Sequence, residues 1–414
     1  MFTLLFIAFL LTDIAVRLWL ASRQIRHVIQ HRDHVPPEFS GRIGLRSHQR
    51  AADYTVAKTK FAMLEYCVEA AMVIGFTLLG GLQFLDKNLG DLIENEMLRQ
   101  LALIGSVVLI LGLIGLPFSI WRTFKLEAMF GFNRMTPRLF ISDALKAVLL
   151  SVVIGAPLAG AVLWIMNNTG TNWAWWAWGL WVAFNALLLW LFPTVIAPLF
   201  NKFTPLDNPA MAERIFSLAK RCNFSLKGLF VMDGSRRSAH GNAYFTGFGQ
   251  NRRIVFFDTL LSRLNTDEVE AVLAHELGHF SHKHLRKRMI VMFTMALIFF
   301  QALAWLTTQV WFYTDLGVIP QLGRPNDALA LILFFMVVPV FTFWVSPLAA
   351  RMSRRDEFEA DRYAAKQCPA EHLVSALVKL YDDNAATLTP DPIHSAYYDS
   401  HPPAAIRIQR LKQA

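Results

Sequence analysis

Residues 265–280 read N-T-D-E-V-E-A-V-L-A-H-E-L-G-H-F, and their pattern is that of a helix. Val269, Val272, Leu273, Leu277 and Phe280 recur at helical spacing, Asn265 or Thr266 can cap the start, and Asp267, Glu268 and Glu270 fill the first turn. On such a helix His275 and His279 lie four apart on one face, where both can reach a single Zn²⁺ at roughly 2.0–2.1 Å. Glu276 between them is placed as a general base, and Gly278 is expected to leave the backbone turn uncluttered for a substrate. The segment points to a zinc hydrolase, with a peptidase foremost.

A catalytic zinc takes three protein ligands and leaves the fourth position open, so one more side chain is needed. The run R-R-D-E-F-E-A-D at 354–361 offers Glu357 as a ligand and Asp361, one turn on, as acceptor of a ligand histidine's free N–H; spacing alone also allows an ordinary solvated charged face. His282 and His284 compete for the third place. They sit among Lys283, Arg286, Lys287 and Arg288, a poor setting for a dication, and read better as interfacial polar residues.

The rest of the chain places this chemistry in a membrane. Of 414 residues 54% are hydrophobic and only 17% charged, with 12 Trp and 33 Phe, more apolar material than one soluble core needs. Seven apolar stretches are long enough to span a bilayer, at about 2–20, 62–85, 100–121, 143–166, 173–197, 289–314 and 328–350. The first reads as a retained span, since no basic residue precedes it and no small-residue cleavage site follows. Asp13 with Arg17, and Glu65 with Glu69, lie one turn apart inside spans, where they must pair, face a polar interior or meet the surface.

Loop charge predicts orientation. Eight basic residues lie between Arg23 and Lys60 and five between Arg122 and Lys146, against Lys87, Arg99 and Arg324 on the other side. The expectation is an external N-terminus and a cytoplasmic protease site. The same concentration of basic residues beside spans accounts for the net charge of +9 through anionic headgroups rather than nucleic acid. Cys67, Cys222 and Cys368 form no C-x-x-C and support neither a disulfide framework nor a cysteine metal site. The chain thus divides into 1–197 with five spans, 198–288 with the zinc-motif helix, 289–350 with two spans and 351–414 completing the site. Within 198–288 the pattern predicts a helix from Pro209 to Cys222, a strand over Gly228–Met232, and a hairpin from Ala243–Phe248 and Arg253–Asp258 around Gly249, Gln250 and Asn251. An edge strand there can hold an extended peptide, or be covered by protein.

Taken in order, N-K-F-T-P-L at 201–206, V-M-D-G-S-R-R-S-A-H-G-N-A-Y-F-T-G-F-G from Val231, F-D-T-L-L from Phe257, H-E-L-G-H at 275–279, S-R-R-D-E-F-E-A-D at 353–361 and S-H-P-P at 400–403 resemble the type I CAAX prenyl endopeptidase family. L-P-F-S with E-x-x-x-G-F-N, from Leu116 to Asn133, fits as well. The resemblance implies a mostly α, seven-transmembrane-helix protein enclosing a water-filled chamber, with a split cytoplasmic zincin-like α+β protease domain. It implies one zinc per chain held by His275, His279 and Glu357, Glu276 as base, Asp361 orienting a ligand histidine, Asn242 on substrate, and His401 with Arg407 near the metal.

Three function classes remain open on the residues. One is a zinc endopeptidase acting on a peptide or protein, prenylated at its CAAX tail or met in membrane quality control. A zinc-dependent lipid hydrolase and a transporter with structural zinc are the others; an open three-ligand site fits catalysis better than structure. The tail Leu411, Lys412, Gln413, Ala414 carries no retention signal, which favours an inner or plasma membrane over the endoplasmic reticulum.

Overall fold

The computed structural model describes residues 1–247, 252–321 and 323–413. Most of them are helical, and membrane and protease parts have separate apolar cores.

Six helical segments among the described residues are long and apolar enough to cross a membrane: Phe2–Gln30, Glu96–Glu127, Pro137–Asn168, Gly170–Phe200, His284–Thr307 and Asp327–Gln367. Leu45–Phe76 and Gly81–Leu92 meet the same criterion only together, as a candidate seventh span bent by 51° at their junction. The expected second span, 62–85, runs through that bend. Gly80 makes it, with φ +75°, a left-handed conformation that costs glycine little. Gly81 lets the chain fold back closely, because a Cβ there would lie 2.6 Å from the Gly75 carbonyl oxygen. The expected stretch 289–314 is likewise broken, since its helix ends at Thr307 and a short one, Val310–Thr314, follows.

The membrane helices share one apolar core towards one end. Phe6, Leu10, Phe76, Leu82, Leu103, Leu163, Leu303 and Phe312 belong to one core at the end away from the protease part, closed around the most buried span, which begins at Asp327. Between that core and the protease part, Pro137–Leu150 buries no residue at all, and His284–Thr307 buries only His284 and Leu303. Two of the carboxylates within this zone are paired, since Arg17 Nε lies 2.8 Å from Asp13 Oδ1 and Arg122 bonds Glu65, while Glu69 has no ion pair among the described residues.

The protease part is built on a small sheet of order β1-β2-β4-β3 among the described residues: β1 Phe203–Pro205, β2 Gly228–Met232, β3 Ala243–Thr246 and β4 Arg253–Phe257. β3 pairs antiparallel with β4, Ala243 opposite Phe256, so the expected hairpin strands are present; Phe248 and the turn 249–251 lie outside the described residues. Helices Pro209–Arg221, Thr266–Ser281 and Ala370–Asp383 contribute Ile215, Leu218, Leu273, Leu277, Leu373 and Leu377 to one core with Ile254 and Phe256 of β4. The stretch leading into β3 is pinned to the membrane part. Arg237 holds Asp143 at 2.8 and 3.1 Å, and the His240 ring stacks on Phe132 with centroids 4.3 Å apart.

Candidate active site

Asn265 is the cap of helix Thr266–Ser281. Its side chain accepts from Glu268 N at 2.9 Å while the Glu268 carboxylate accepts from Asn265 N at 2.8 Å, a reciprocal capping box. Ser375 Oγ and Lys379 Nζ each add a bond of 2.7 Å to the same buried carboxylate. Burial would raise the Glu268 pKa, but Lys379, the Asn265 N–H and Ser375 outweigh it and hold the carboxyl below its ordinary value.

This anchored helix crosses Ser346–Gln367 at the point where both carry their polar residues. Gly278 makes the crossing possible: a Cβ there would sit 2.9 Å from Ala360 Cα and 3.1 Å from its carbonyl oxygen. The glycine therefore admits a neighbouring helix, and the expectation that it clears room for substrate is corrected. Val269, Leu273 and Leu277 face the core, so His275 and His279 face the crossing.

His275 Nε2 and His279 Nε2 are 3.3 Å apart; His279 Nε2 is 3.3 Å from Glu357 Oε1, and His275 Nε2 is 3.5 Å from Glu357 Oε2. Bonds of 2.0–2.1 Å to one tetrahedral ion put ligand atoms about 3.3 Å apart, so the three groups fit a single zinc. Glu357 Oε2 is buried with no well-directed hydrogen bond, although His401 Nδ1 lies 2.8 Å from it. The buried pocket also favours positive charge: burial alone would lower the His275 pKa, yet Asp361 and Glu357 hold it up at about 9.

Behind His275 the arrangement fixes its tautomer. Asp361 Oδ1 lies 2.8 Å from His275 Nδ1, and Arg407 grips the same carboxylate through Nε at 2.9 Å and Nη2 at 2.6 Å. With Nδ1–H given to Asp361, the Nε2 lone pair is left for a metal. Arg407 is buried and 3.4 Å from His275 Nδ1, so it stands at the back of the imidazole. His401, by contrast, is 61% exposed in its side chain and lies at the open side. Glu276 is half-buried, and its carboxylate has no hydrogen bond or ion pair among the described residues. Asn242 is exposed at the entry to β3, an edge strand of the sheet; its Oδ1 accepts from Ala243 N at 2.8 Å, which leaves the amide Nδ2 without a partner among the described residues.

His284 departs from expectation. His282 is exposed, as an interfacial residue would be, but His284 is buried with its Nδ1 2.9 Å from His279 Nδ1. Five residues beyond His279, it would point elsewhere on a continuous helix. The helix stops at Ser281 and a new one starts at His284, which turns the imidazole back; nothing in the spacing announces this.

Known proteins give the same picture over nearly the whole length. Residues 24–202 match the family model of the CAAX prenyl protease N-terminal region with five membrane helices, and residues 205–414 match peptidase family M48. A CAAX prenyl protease 1 homolog of Oryza sativa subsp. japonica is 35% identical, covering 92% of this chain and 90% of the relative. The CAAX prenyl protease 1 of Saccharomyces cerevisiae is 31% identical over 91% and 88%, and the Homo sapiens homolog 32% over 99% and 95%. The crystal structure of S. mikatae Ste24p superposes with a TM-score of 0.90 at 30% identity, covering 99% of this chain and 98% of that one. A multi-pass membrane chain with an H-E-L-G-H helix, a peptidase family model over its second half and protease relatives along its full length is a membrane metalloprotease, and it belongs to the CAAX prenyl protease type of peptidase family M48.

Proposed function

We propose that the chain is a zinc endopeptidase that trims C-terminal CAAX tails from prenylated proteins, with one zinc ion held by His275, His279 and Glu357. The observation that carries this is the mutual spacing of three ligand groups, whose nearest nitrogen and oxygen atoms are 3.3 to 3.5 Å apart, next to a glutamate on the same helical turn that is unpaired among the described residues. The names of the relatives supply the substrate class. The protein parts then divide the work. When bound, zinc supplies Lewis acidity, polarising the scissile carbonyl and bringing the pKa of water to about 7. Glu276 takes the proton of the attacking water and delivers it to the leaving amine nitrogen. Asp361, held by Arg407, keeps the proton on His275 Nδ1; Arg407 acts through that carboxylate rather than on substrate. His401 faces Glu357 through Nδ1, which leaves Nε2 to donate to the oxyanion as it develops. An extended peptide laid along β3 would meet the free amide of Asn242.

The proposed domain division puts 1–197 and 289–350 in the membrane and makes 198–288 with 351–414 the protease part. The basic loops support an external N-terminus and a cytoplasmic site, and the membrane proposed for it is an inner or plasma membrane. The test is purified protein with a farnesylated CAAX peptide, its unmodified counterpart and an unrelated membrane protein. Glu276→Gln should keep stoichiometric zinc and lose cleavage by about 10²–10⁴-fold, the usual contribution of a general base. Wild-type turnover in that variant refutes the assigned base, and equal cleavage of all three substrates refutes the prenyl specificity.

A further inference from the structure

We infer that His284 is a positioning residue for the metal centre: it accepts the Nδ1 proton of His279 and so fixes that ligand's tautomer and ring angle. The inference rests on the zinc reading above. With His279 Nε2 turned to His275 Nε2 and Glu357, its remaining proton sits on Nδ1, and the atom it meets is His284 Nδ1 at 2.9 Å. One of two facing nitrogens must be the acceptor, so the His284 proton belongs on Nε2. That nitrogen finds an acceptor of its own in Glu359 Oε2 at 3.2 Å, with the Asp356 carboxylate nearby at 3.6 Å. The chain Glu359–His284–His279 thus does for the second ligand what Asp361 does for the first, with an imidazole interposed.

The local backbone is bent to make it. Lys283 takes φ 58°, a left-handed conformation that side chains rarely adopt, and it lies between the ligand helix and the membrane helix His284–Thr307. This reversal brings His284 against His279, and the exposed His282 ring stacks on it at a 5.6 Å centroid distance. The same three side chains, His284, Asp356 and Glu359, can be read as a second metal site, since their ligand atoms lie within 4.8 Å. Their charges argue otherwise: Arg288 holds Asp356 at 3.2 Å, and Arg355 holds Glu359 at 3.2 Å. His284 Nδ1 is already engaged by His279. The carboxylates are neutralised by arginines and left as acceptors.

The experiment measures zinc affinity of the full-length protein in detergent by competition with a chromophoric chelator, alongside the melting temperature of the metal-free form. His284→Leu removes the acceptor at similar volume and should weaken zinc by about 10–100-fold, the usual effect of losing a ligand's supporting partner. In His284→Asn the side-chain oxygen takes the place of Nδ1, and affinity should return to within a few-fold of wild type. The double variant Asp356→Ala/Glu359→Ala keeps both imidazoles and should weaken zinc by at least several-fold, which keeps the test open if His284→Leu does not fold. Wild-type affinity in every variant that folds, equal weakness of His284→Leu and His284→Asn, or two zinc ions per wild-type chain overturns the inference. A wild-type chain that takes up no zinc removes the metal reading itself, a result distinct from an unchanged His284 variant.

Discussion

At the scale of single residues, the ligand set and the crossing glycine make separable demands. Removing a direct ligand by Glu357→Ala should lower zinc affinity by more than about 100-fold, beyond what loss of a supporting partner costs. Chelator competition checks this, and undiminished affinity would point to Asp356 or Glu359 as the ligand. Gly278→Ala touches no ligand but forces a methyl group against Ala360 Cα at 2.9 Å, so it should destabilise by about 1–3 kcal/mol as an overpacked core does. Thermal melts read the effect, and an unchanged melting temperature would mean the two helices are free to separate. His275, Glu276 and His279 could be picked out by type and spacing, because the two histidines lie one turn apart on a helix; Glu357 and Asp361 share a helix face too, but spacing left them level with a solvated charged face and the family resemblance chose between the two. His284 could not, for its place depends on a left-handed lysine.

Element-scale behaviour turns on the anchored start of the ligand helix. Glu268 has a depressed pKa, so its ion contributes stability above the unfolded value of roughly 4.3, and that contribution is lost as pH falls through the lower folded value. Lys379→Met removes one of its partners and should cost about 1–2 kcal/mol at pH 7, with the gap to wild type closing in acid. Melts across that range decide it; a gap that widens in acid reverses the assignment. Helix Pro209–Arg221 and strands β2, β3 and β4 follow their apolar patterns, ending within two residues of expectation. β1 went unread: at three residues, Phe203–Pro205 is too short to show alternation, and its proline is tolerated because β1 lies at the sheet edge. The bend after Phe76 was hidden for a related reason, since Thr77, Leu78 and Leu79 keep the stretch apolar while the backbone turns.

For the whole molecule, hydropathy located the spans but not which of their faces pack, because an apolar residue against a neighbouring helix and one facing lipid look alike in sequence. Orientation is open to a direct check: a reporter fused after Arg288 should register as cytoplasmic and one inserted beside Asn168 as external, with the opposite pattern reversing the reading. The division of the protease part by two spans has a further consequence for biogenesis. His275 and Arg407 meet across 132 positions of chain, so a polypeptide still emerging from the ribosome carries the H-E-L-G-H helix without the carboxylates that complete its centre. On the proposed ligand set, translation order acts as a safety catch: a chain that stops before Glu357 lacks a ligand, so the last two spans are made before any cutting edge exists.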